Sequence, residues 1–493
     1  MKDESKFSKV LSILLSVVLV ISSFYLLYQV IRLNVLPSKF LFPLTIGVVV
    51  LDAIFILLLV YFSKNVVSKI VCIVLTLFIC VASCMGGYYI SKTQNVLSSI
   101  TNVAKHAKNT VSVIVKESSS IKDKSQLNGV SVGSLRLNEQ GSKKALKELS
   151  NEGIVLNQTE YDSMTALLEA FYNGEVDSII INESSRSQIL DMEAYSNFDS
   201  NTRVVYQTSY KVKNNDSATS VSDITSKPFN VLISGSDTRG GFDENGRSDV
   251  IMIATVNPKT HTILLTSVPR DFYVTTACDA GDGCMQGALD KITHTGIHGT
   301  NTTKRTVEQL LGIEINYTFK VGFDTVTELV DVLGGVDVYV EPGYATTTSQ
   351  FSVHEGVNHL NAQQALAFAR ERYSYTEGDR QRTKNQQQVL MGIVKEATKP
   401  SVITNYAAIM DTMANTFSTT MSNEEITDLI KYQLNNNPTW KMEQYMVDGT
   451  GDTLMCAELG DAASVMVPDQ STVKMAKDKI NAVLAGKSSE DVK

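Results

Sequence analysis

The chain is 493 residues long, with 44 basic against 52 acidic residues and a formal net charge of −8. That length admits several domains, and the acidic balance excludes the broad basic surface that general nucleic-acid affinity requires. Lysine supplies most of the positive charge, yet eight of the twelve arginines lie beyond residue 230, and Arg370, Arg372, Arg380 and Arg382 fall within thirteen residues. A guanidinium fork grips phosphate or carboxylate in a bidentate way that an ammonium cannot, so the arginines point to one anionic ligand.

Three apolar runs open the chain, at residues 10–31, 40–62 and 66–90. Each is long enough to cross a hydrocarbon core of ~30 Å. The intervening segments RLNVLPSK and SKN are short, so residues 1–92 are expected to form a compact antiparallel bundle of three spans. The first run is too long for a cleaved signal peptide, and two more spans follow it. Lys2, Lys6 and Lys9 favour an inside N-terminus. Three crossings then place everything beyond about Ser91 outside: a multi-pass protein of the cell membrane with its later domains extracytoplasmic. Asp52 lies in the middle of the second span. A charged carboxylate there costs roughly 2.5–3.5 kcal/mol. It is therefore either a contact for a membrane partner or lipid headgroup, or a protonated or internally hydrogen-bonded Asp.

Residues 108–212 alternate strand and helix patterns. GVSVGSL, IVLNQ, VDSIIIN and RVVYQTSYKV read as strands, and KKALKELSN and MTALLEAFYNG as amphipathic helices, the second ending at Gly174. The pattern predicts an accessory α/β domain with a parallel sheet. Residues 213–227 are polar and read as a linker. Residues 228–485 alternate again and predict a larger mixed α/β sandwich: strand FNVLIS, the hairpin DVIMIATV–NPKT–TILLTSV, a helix near TKRTVEQLLG, strand INYTFKV, and two helices around the arginine cluster.

The chemistry of this distal unit falls at strand ends, where α/β folds place ligands. Asp237 follows the first strand, Arg247 and Asp249 open the hairpin, and Arg270 and Asp271 close it. Hairpin pairing brings Asp249 and Arg270 to the same end of one ladder. Asn361 and Gln364 form a capping-box signature for the helix AQQALAFAR, and Asp379 is placed to cap the next helix. On that helix Arg382 and Gln386 are i, i+4 neighbours on the stripe that continues through Val389 and Leu390. Clustered arginines need a polyanion. Paired Asp without nearby His or Cys suits a hard cation such as Mg²⁺, or Mn²⁺ in its place. Together they describe a pyrophosphate site, and phosphoryl transfer asks for little beyond positioning and charge stabilisation. No GxxxxGK[ST], HExxH or GxSxG occurs. His294, in DKITHTG, reads as structural.

The segments NVLISGSDTR, GRSDVIMIATVNPKT, SVPRDFYV, DKITHTG, LLGIEINYTFKVGF, LVDVLGGVDVYV, LAFARERY and GDRQRTKNQQQVL resemble, in order, the LytR–CpsA–Psr (LCP) family. The three spans and the extra domain resemble its capsule-type CpsA branch. The resemblance implies an extracytoplasmic, Mg²⁺-dependent ligase. Such an enzyme attaches a glycopolymer of the capsule or teichoic-acid kind, carried on polyprenyl pyrophosphate, to peptidoglycan. By motif, Asp237 and Asp249 fall where the family holds the metal. Arg247, Arg270, Arg370, Arg372, Arg382 and Gln386 fall where it holds pyrophosphate, with Asp237, Asp249, Arg247 and Arg270 counted as catalytic. Arg239 and Lys291 also sit in family motifs. The implied partners are the lipid-linked glycan, peptidoglycan, the membrane and wall-polymer assembly proteins, with no nucleic acid. The same site would serve hydrolysis of polyprenyl pyrophosphate, with water as acceptor; a non-catalytic regulator of wall assembly is a further alternative.

Cys72, Cys80 and Cys84 lie in the third span and read as small apolar residues. Cys278 and Cys284 enclose a Gly/Asp-rich loop in an oxidising compartment, which predicts a disulfide with Cys456 left free and buried.

Overall fold

Uninterrupted apolar sequence with no water to satisfy its backbone folds as helix, and the three runs do so in the computed structural model. It describes residues 6–492 except 64, 102–105, 137–138, 237–243, 280–283, 400–407, 410–411 and 413–416. Helices α1 (Lys6–Leu33), α2 (Ser38–Leu57, continued by a π turn at Leu58–Phe62) and α3 (Val66–Thr101) are each long and apolar enough to cross a membrane. The chain divides into two compact units, the first made of Met1–Thr101, Glu396–Ala414 and Ser422–Thr439. Within it α1 and α3 pack closely because α3 offers glycine: a Cβ on Gly87 would lie 2.4 Å from the Tyr25 ring. Asp52 is answered inside the bundle, where Ser23 Oγ donates to its Oδ1 at 2.9 Å. Cys72 and Cys80 are buried and Cys84 is exposed. A helix from far along the chain, Asn423–Asn436, belongs to the same unit. Its Lys431 Nζ donates to Asn34 Oδ1 at 2.8 Å, and Thr101 Oγ1 donates to its Asn423 Oδ1 at 2.7 Å.

The second unit, Asn102–Lys395, Asn415–Met421 and Trp440–Lys493, holds two larger sheets. The first has the order β3 (Asn157–Tyr161), β2 (Ser131–Leu135), β4 (Ser178–Asn182), β1 (His106–Lys116), β5 (Thr202–Lys213). The predicted parallel sheet is parallel only across β3-β2-β4. Strand β1, which the pattern reading passes over, inserts between β4 and β5 and runs antiparallel to both. Its residues Val111–Val115 are all buried, because strands on two sides and helices above leave no solvent face. Helix α4 (Glu139–Asn151) and helix α5 (Met164–Asn173) cover this sheet, α5 ending at a left-handed Gly174 with φ +81°. Helix α6 (Arg186–Asp191) follows β4.

The second sheet has six strands in the order 417–419, 317–322, 229–236, 250–257, 262–268, 441–446. The expected hairpin is its centre: Val250–Asn257 pairs antiparallel with Thr262–Val268, Ile251 facing Val268. Every residue of Thr262–Val268 is buried. Helices Thr300–Leu311 and Gln470–Leu484 pack on this sheet through Val307, Leu311, Val473 and Ile480. Helices Ala362–Arg370 and Asp379–Ala397 form a further layer with a core of its own around Val336, Phe368 and Val389. The architecture combines three apolar helices at the start of the chain with a mixed α/β fold.

Within the second unit a separate two-stranded hairpin packs against the first sheet. Cys456, Leu459 and Val465, from the hairpin Gly449–Cys456/Asp461–Pro468, join the core of α5 and β4, and Met164 N donates to Leu459 O at 2.9 Å. The stretch 214–227 contains no helix or strand, and Thr219 N donates to Asn316 O at 2.8 Å.

Candidate active site

Three backbone bonds bring the motifs together at one end of the central hairpin. Asp249 N donates to Gly235 O (2.8 Å), Ser248 N to Thr293 O (2.9 Å) and Thr293 N to Arg270 O (3.0 Å). The segments GRSD, VPRD and KITHTG are thereby fixed side by side before any side chain is considered.

The side chains converge on Asp249. Arg270 Nη1 donates to Asp249 Oδ1 at 2.9 Å, Thr293 Oγ1 donates to the same oxygen at 3.4 Å, and Arg247 Nη2 lies 3.8 Å from it. Arg382, from helix Asp379–Ala397, is paired to Asp379, and a cleft is lined by Asp249, Arg270, Asp379, Arg382 and Gln386. Arg247, Arg270 and Arg382 are 10%, 15% and 14% exposed. All three have a buried Nε without a hydrogen-bond partner among the described residues. A buried unsatisfied donor costs about 1–3 kcal/mol, and three at one place mark a site built for oxyanions. The electrostatics agree. Burial, then the like charges of Arg270 and Arg372, hold Arg382 below the usual guanidinium value despite Asp379. Burial would lower Arg270 too, but Asp249 and Asp271 outweigh it and raise it.

Other predicted residues are placed differently. Asp237 and Arg239 lie outside the described residues. Arg370 ends its helix in an exposed position. Arg372 lies over the Tyr373 ring at 4.7 Å and donates to its hydroxyl at 2.6 Å, while its charge still reaches Arg382. Lys291 Nζ sits 3.2 Å from Asp271 Oδ1, beside Arg270. Arg380 and Arg305 turn to Asp448 and Asp279 instead. Cys278 and Cys284 are disulfide-bonded, with Cα atoms 6.4 Å apart, and Cys456 is free and buried.

Several supporting residues escaped the sequence reading. Gly296, within DKITHTG, is required by close approach: a Cβ there would lie 2.5 Å from both Gly246 O and Ser248 Oγ. Buried hydroxyls run beneath the site from Ser234 to Ser248 (2.9 Å), to Thr303 (3.0 Å) and to Thr295 (2.9 Å). His294 is structural as expected. Its Nδ1 shares a hydrogen with Asp290 Oδ1 at 2.7 Å, while Asp290 Oδ2 accepts from Glu458 N. Asp191, the last residue of α6, is hydrogen-bonded to Arg247 Nη1.

The donor set bears on a metal. Asp249 Oδ1 is occupied by Arg270 and Thr293, whereas no described residue donates to Oδ2. The described residues contain no group of three or more His, Cys, Asp or Glu that could cage an ion. One available carboxylate oxygen beside an oxyanion site fits a hard cation that takes its remaining ligands from substrate phosphates and water.

The LytR_cpsA_psr family matches residues 194–482. A polyisoprenyl-teichoic acid–peptidoglycan teichoic acid transferase TagU from Bacillus cereus (strain AH820) is 31% identical over 241 residues, 48% of this chain and 76% of the relative. Its namesake from Bacillus subtilis (strain 168) is 34% identical over 203 residues, 41% of this chain and 63% of the relative. The crystal structure of B. subtilis TagU superposes with a TM-score of 0.40 at 28% identity, covering 52% of this chain and 97% of that one. The matched region contains the described arginine cluster and Asp249, and the chain belongs to the LytR–CpsA–Psr family.

Proposed function

We propose that this protein is a membrane-anchored phosphotransferase. It moves a glycopolymer from a polyprenyl-pyrophosphate carrier to peptidoglycan on the outer side of the membrane. The observation that carries the reading is the convergence of Arg247, Arg270 and Arg382, each with a buried Nε that has no hydrogen-bond partner among the described residues, around Asp249. The relatives named as teichoic acid transferases support the polymer class, teichoic-acid-like or capsular, and the acceptor. The three apolar helices support the anchor and the multi-pass topology.

In this reading Arg247, Arg270, Arg382 and Gln386 grip the pyrophosphate, with Arg370 and Arg372 at its rim. Asp249 with Asp237 would hold Mg²⁺ or Mn²⁺, which supplies charge neutralisation to the phosphate oxygens. The acceptor hydroxyl attacks the phosphorus next to the glycan. A new P–O bond forms, the pyrophosphate bridge breaks, the hydroxyl proton passes to water, and polyprenyl phosphate leaves with the bridging oxygen. The guanidiniums, already desolvated and oriented, stabilise charge developing on that oxygen without reorganising. Residues 228–485 are the transfer domain, 108–212 the accessory domain and 213–227 their connection.

The test is product analysis. Full-length protein in nanodiscs, given polyprenyl-pyrophosphate glycan and Mg²⁺, should release polyprenyl phosphate in proportion to added peptidoglycan and form a phosphodiester-linked polymer. Equal release without peptidoglycan, yielding free glycan phosphate, would make the protein a hydrolase.

A further inference from the structure

The accessory domain reaches the pyrophosphate site. Two of its side chains contact the short segment Glu244–Asp249 that carries Arg247. Thr110, on β1, donates to Glu244 Oε1, and the neighbouring Lys108 Nζ lies 3.3 Å from the same carboxylate. Glu244 is itself buried, and Lys320 Nζ donates to its backbone oxygen at 2.7 Å. Three residues further along the segment, Asp191 Oδ2 accepts from Arg247 Nη1.

Asp191 is held in place from its own side. Arg186, buried at the start of α6, is paired to Glu183 and, at 2.9 Å, to Asp199. That cluster pins the short helix whose last residue is Asp191. The carboxylate in turn senses the site. Partial desolvation by its neighbours would raise it, but the charge and hydrogen bond of Arg247, with Arg270 and Lys291 behind, hold it below the usual range.

Resting on the phosphotransferase reading, we propose that Asp191 is a positioning residue: the accessory domain uses it to hold Arg247 in the orientation that binds pyrophosphate. The fork geometry argues for positioning over blocking. Asp191 takes Nη1 alone. It leaves Nε, which has no described partner, and Nη2, which faces Asp249 at 3.8 Å. Nε and Nη2 form one bidentate edge of a guanidinium, and that edge stays available to a phosphate. A free arginine side chain would have to surrender its rotamer freedom on binding; an anchored one has already done so. Asp191 has 55% of its side-chain surface exposed, so water screens its direct repulsion of a bound anion. The accessory domain is thereby part of the site, and its loss or displacement would be felt at the phosphate.

The experiment measures binding, not turnover. Full-length protein in nanodiscs is titrated with farnesyl pyrophosphate by calorimetry, comparing wild type, Arg247→Ala, Asp191→Ala, Asp191→Asn and the Arg247→Ala/Asp191→Ala double variant. Thermal melting is recorded for each. Asp191→Ala should weaken binding about tenfold, the size expected for loss of one charged hydrogen bond. Asp191→Asn keeps an acceptor for Nη1 and should recover part of the loss. The double variant should bind no worse than Arg247→Ala, because Asp191 acts through Arg247. Unchanged or tighter binding by Asp191→Ala would overturn the proposal, tighter binding identifying Asp191 as a competing internal anion. Losses that add in the double variant would overturn it as well, leaving Asp191 a purely structural contact. Failure of wild type to bind, with Arg247→Ala no different, would remove the pyrophosphate site itself and this inference with it.

Discussion

Replacing Arg270 by lysine separates charge from geometry at the site. Arg270 is 15% exposed, donates through Nη1 to Asp249 at 2.9 Å and keeps a buried Nε with no hydrogen-bond partner among the described residues. Lysine preserves the positive charge but presents one compact donor head in place of the fork. Loss of one hydrogen bond to a charged group costs roughly 1.5–3 kcal/mol, which is about 10- to 150-fold in kcat/KM. Arg305→Lys is the control. Arg305 and its partner Asp279 are 49% and 42% exposed and 3.2 Å apart. Such a pair contributes about 0.2–1 kcal/mol, so less than about a fivefold change is expected. The assay is transfer of labelled glycan from its polyprenyl-pyrophosphate carrier to peptidoglycan by full-length protein, with melting curves showing that both variants fold. Equal losses at Arg270 and Arg305, or full activity in Arg270→Lys, would refute the argument that a fork inside a focused pocket is required.

Three further outcomes follow from the geometry. Gly296→Ala forces a Cβ to within 2.5 Å of Gly246 O and Ser248 Oγ; overpacking of this kind costs about 1–3 kcal/mol, and denaturant titration should show it together with a loss of transfer, since the segment that must move carries Arg247 and Asp249. Glu443 accepts from Ser489 N at 2.8 Å, Ser488 Oγ at 2.7 Å and Lys441 at 2.8 Å. Burial would raise its carboxyl, but these bonds lower it from the ordinary 4.5 to about 2. Its contribution is therefore complete above pH 4.5 and is lost as pH falls through about 2, and Glu443→Gln should flatten the melting temperature across that window. Burial and then Asp290 push the Cys456 thiol up to about 12, so iodoacetamide at neutral pH should modify Cys456 only after denaturation, as read by peptide mass mapping.

What was legible in the sequence was what is local. Apolar runs named the three long apolar helices, and the hairpin 250–257/262–268 announced itself by two β-rich runs around NPKT. The capping box of Asn361 with Gln364 is present as read. The hairpin also brought Asp249 to Arg270, because pairing across one turn needs no knowledge of the rest of the fold. The missed features are non-local. Strand β1 comes soon after the third apolar helix in the sequence, and the residues it pairs with on β4 and β5 lie 63 to 107 positions away. The hydroxyls of Ser234, Ser248, Thr303 and Thr295 meet only after four segments have packed. Asp191 meets Arg247 across 56 residues and from another sheet, and nothing in its short helix marks it. Gly296 did leave a signal: a glycine inside DKITHTG, where a helical turn gains nothing from it, is the mark of a close approach.

Asp249→Ala tests the central claim most directly. The variant, in full-length protein with polyprenyl-pyrophosphate glycan and peptidoglycan, is compared with wild type across a titration of Mg²⁺. The carboxylate is the shared partner of Arg270 and Thr293 and the residue to which Arg247 is turned. If these groups form one phosphoryl-transfer site, the variant keeps its fold by melting and circular dichroism but loses Mg²⁺-dependent attachment of glycan to peptidoglycan. Wild-type turnover with an unaltered Mg²⁺ dependence would contradict the account.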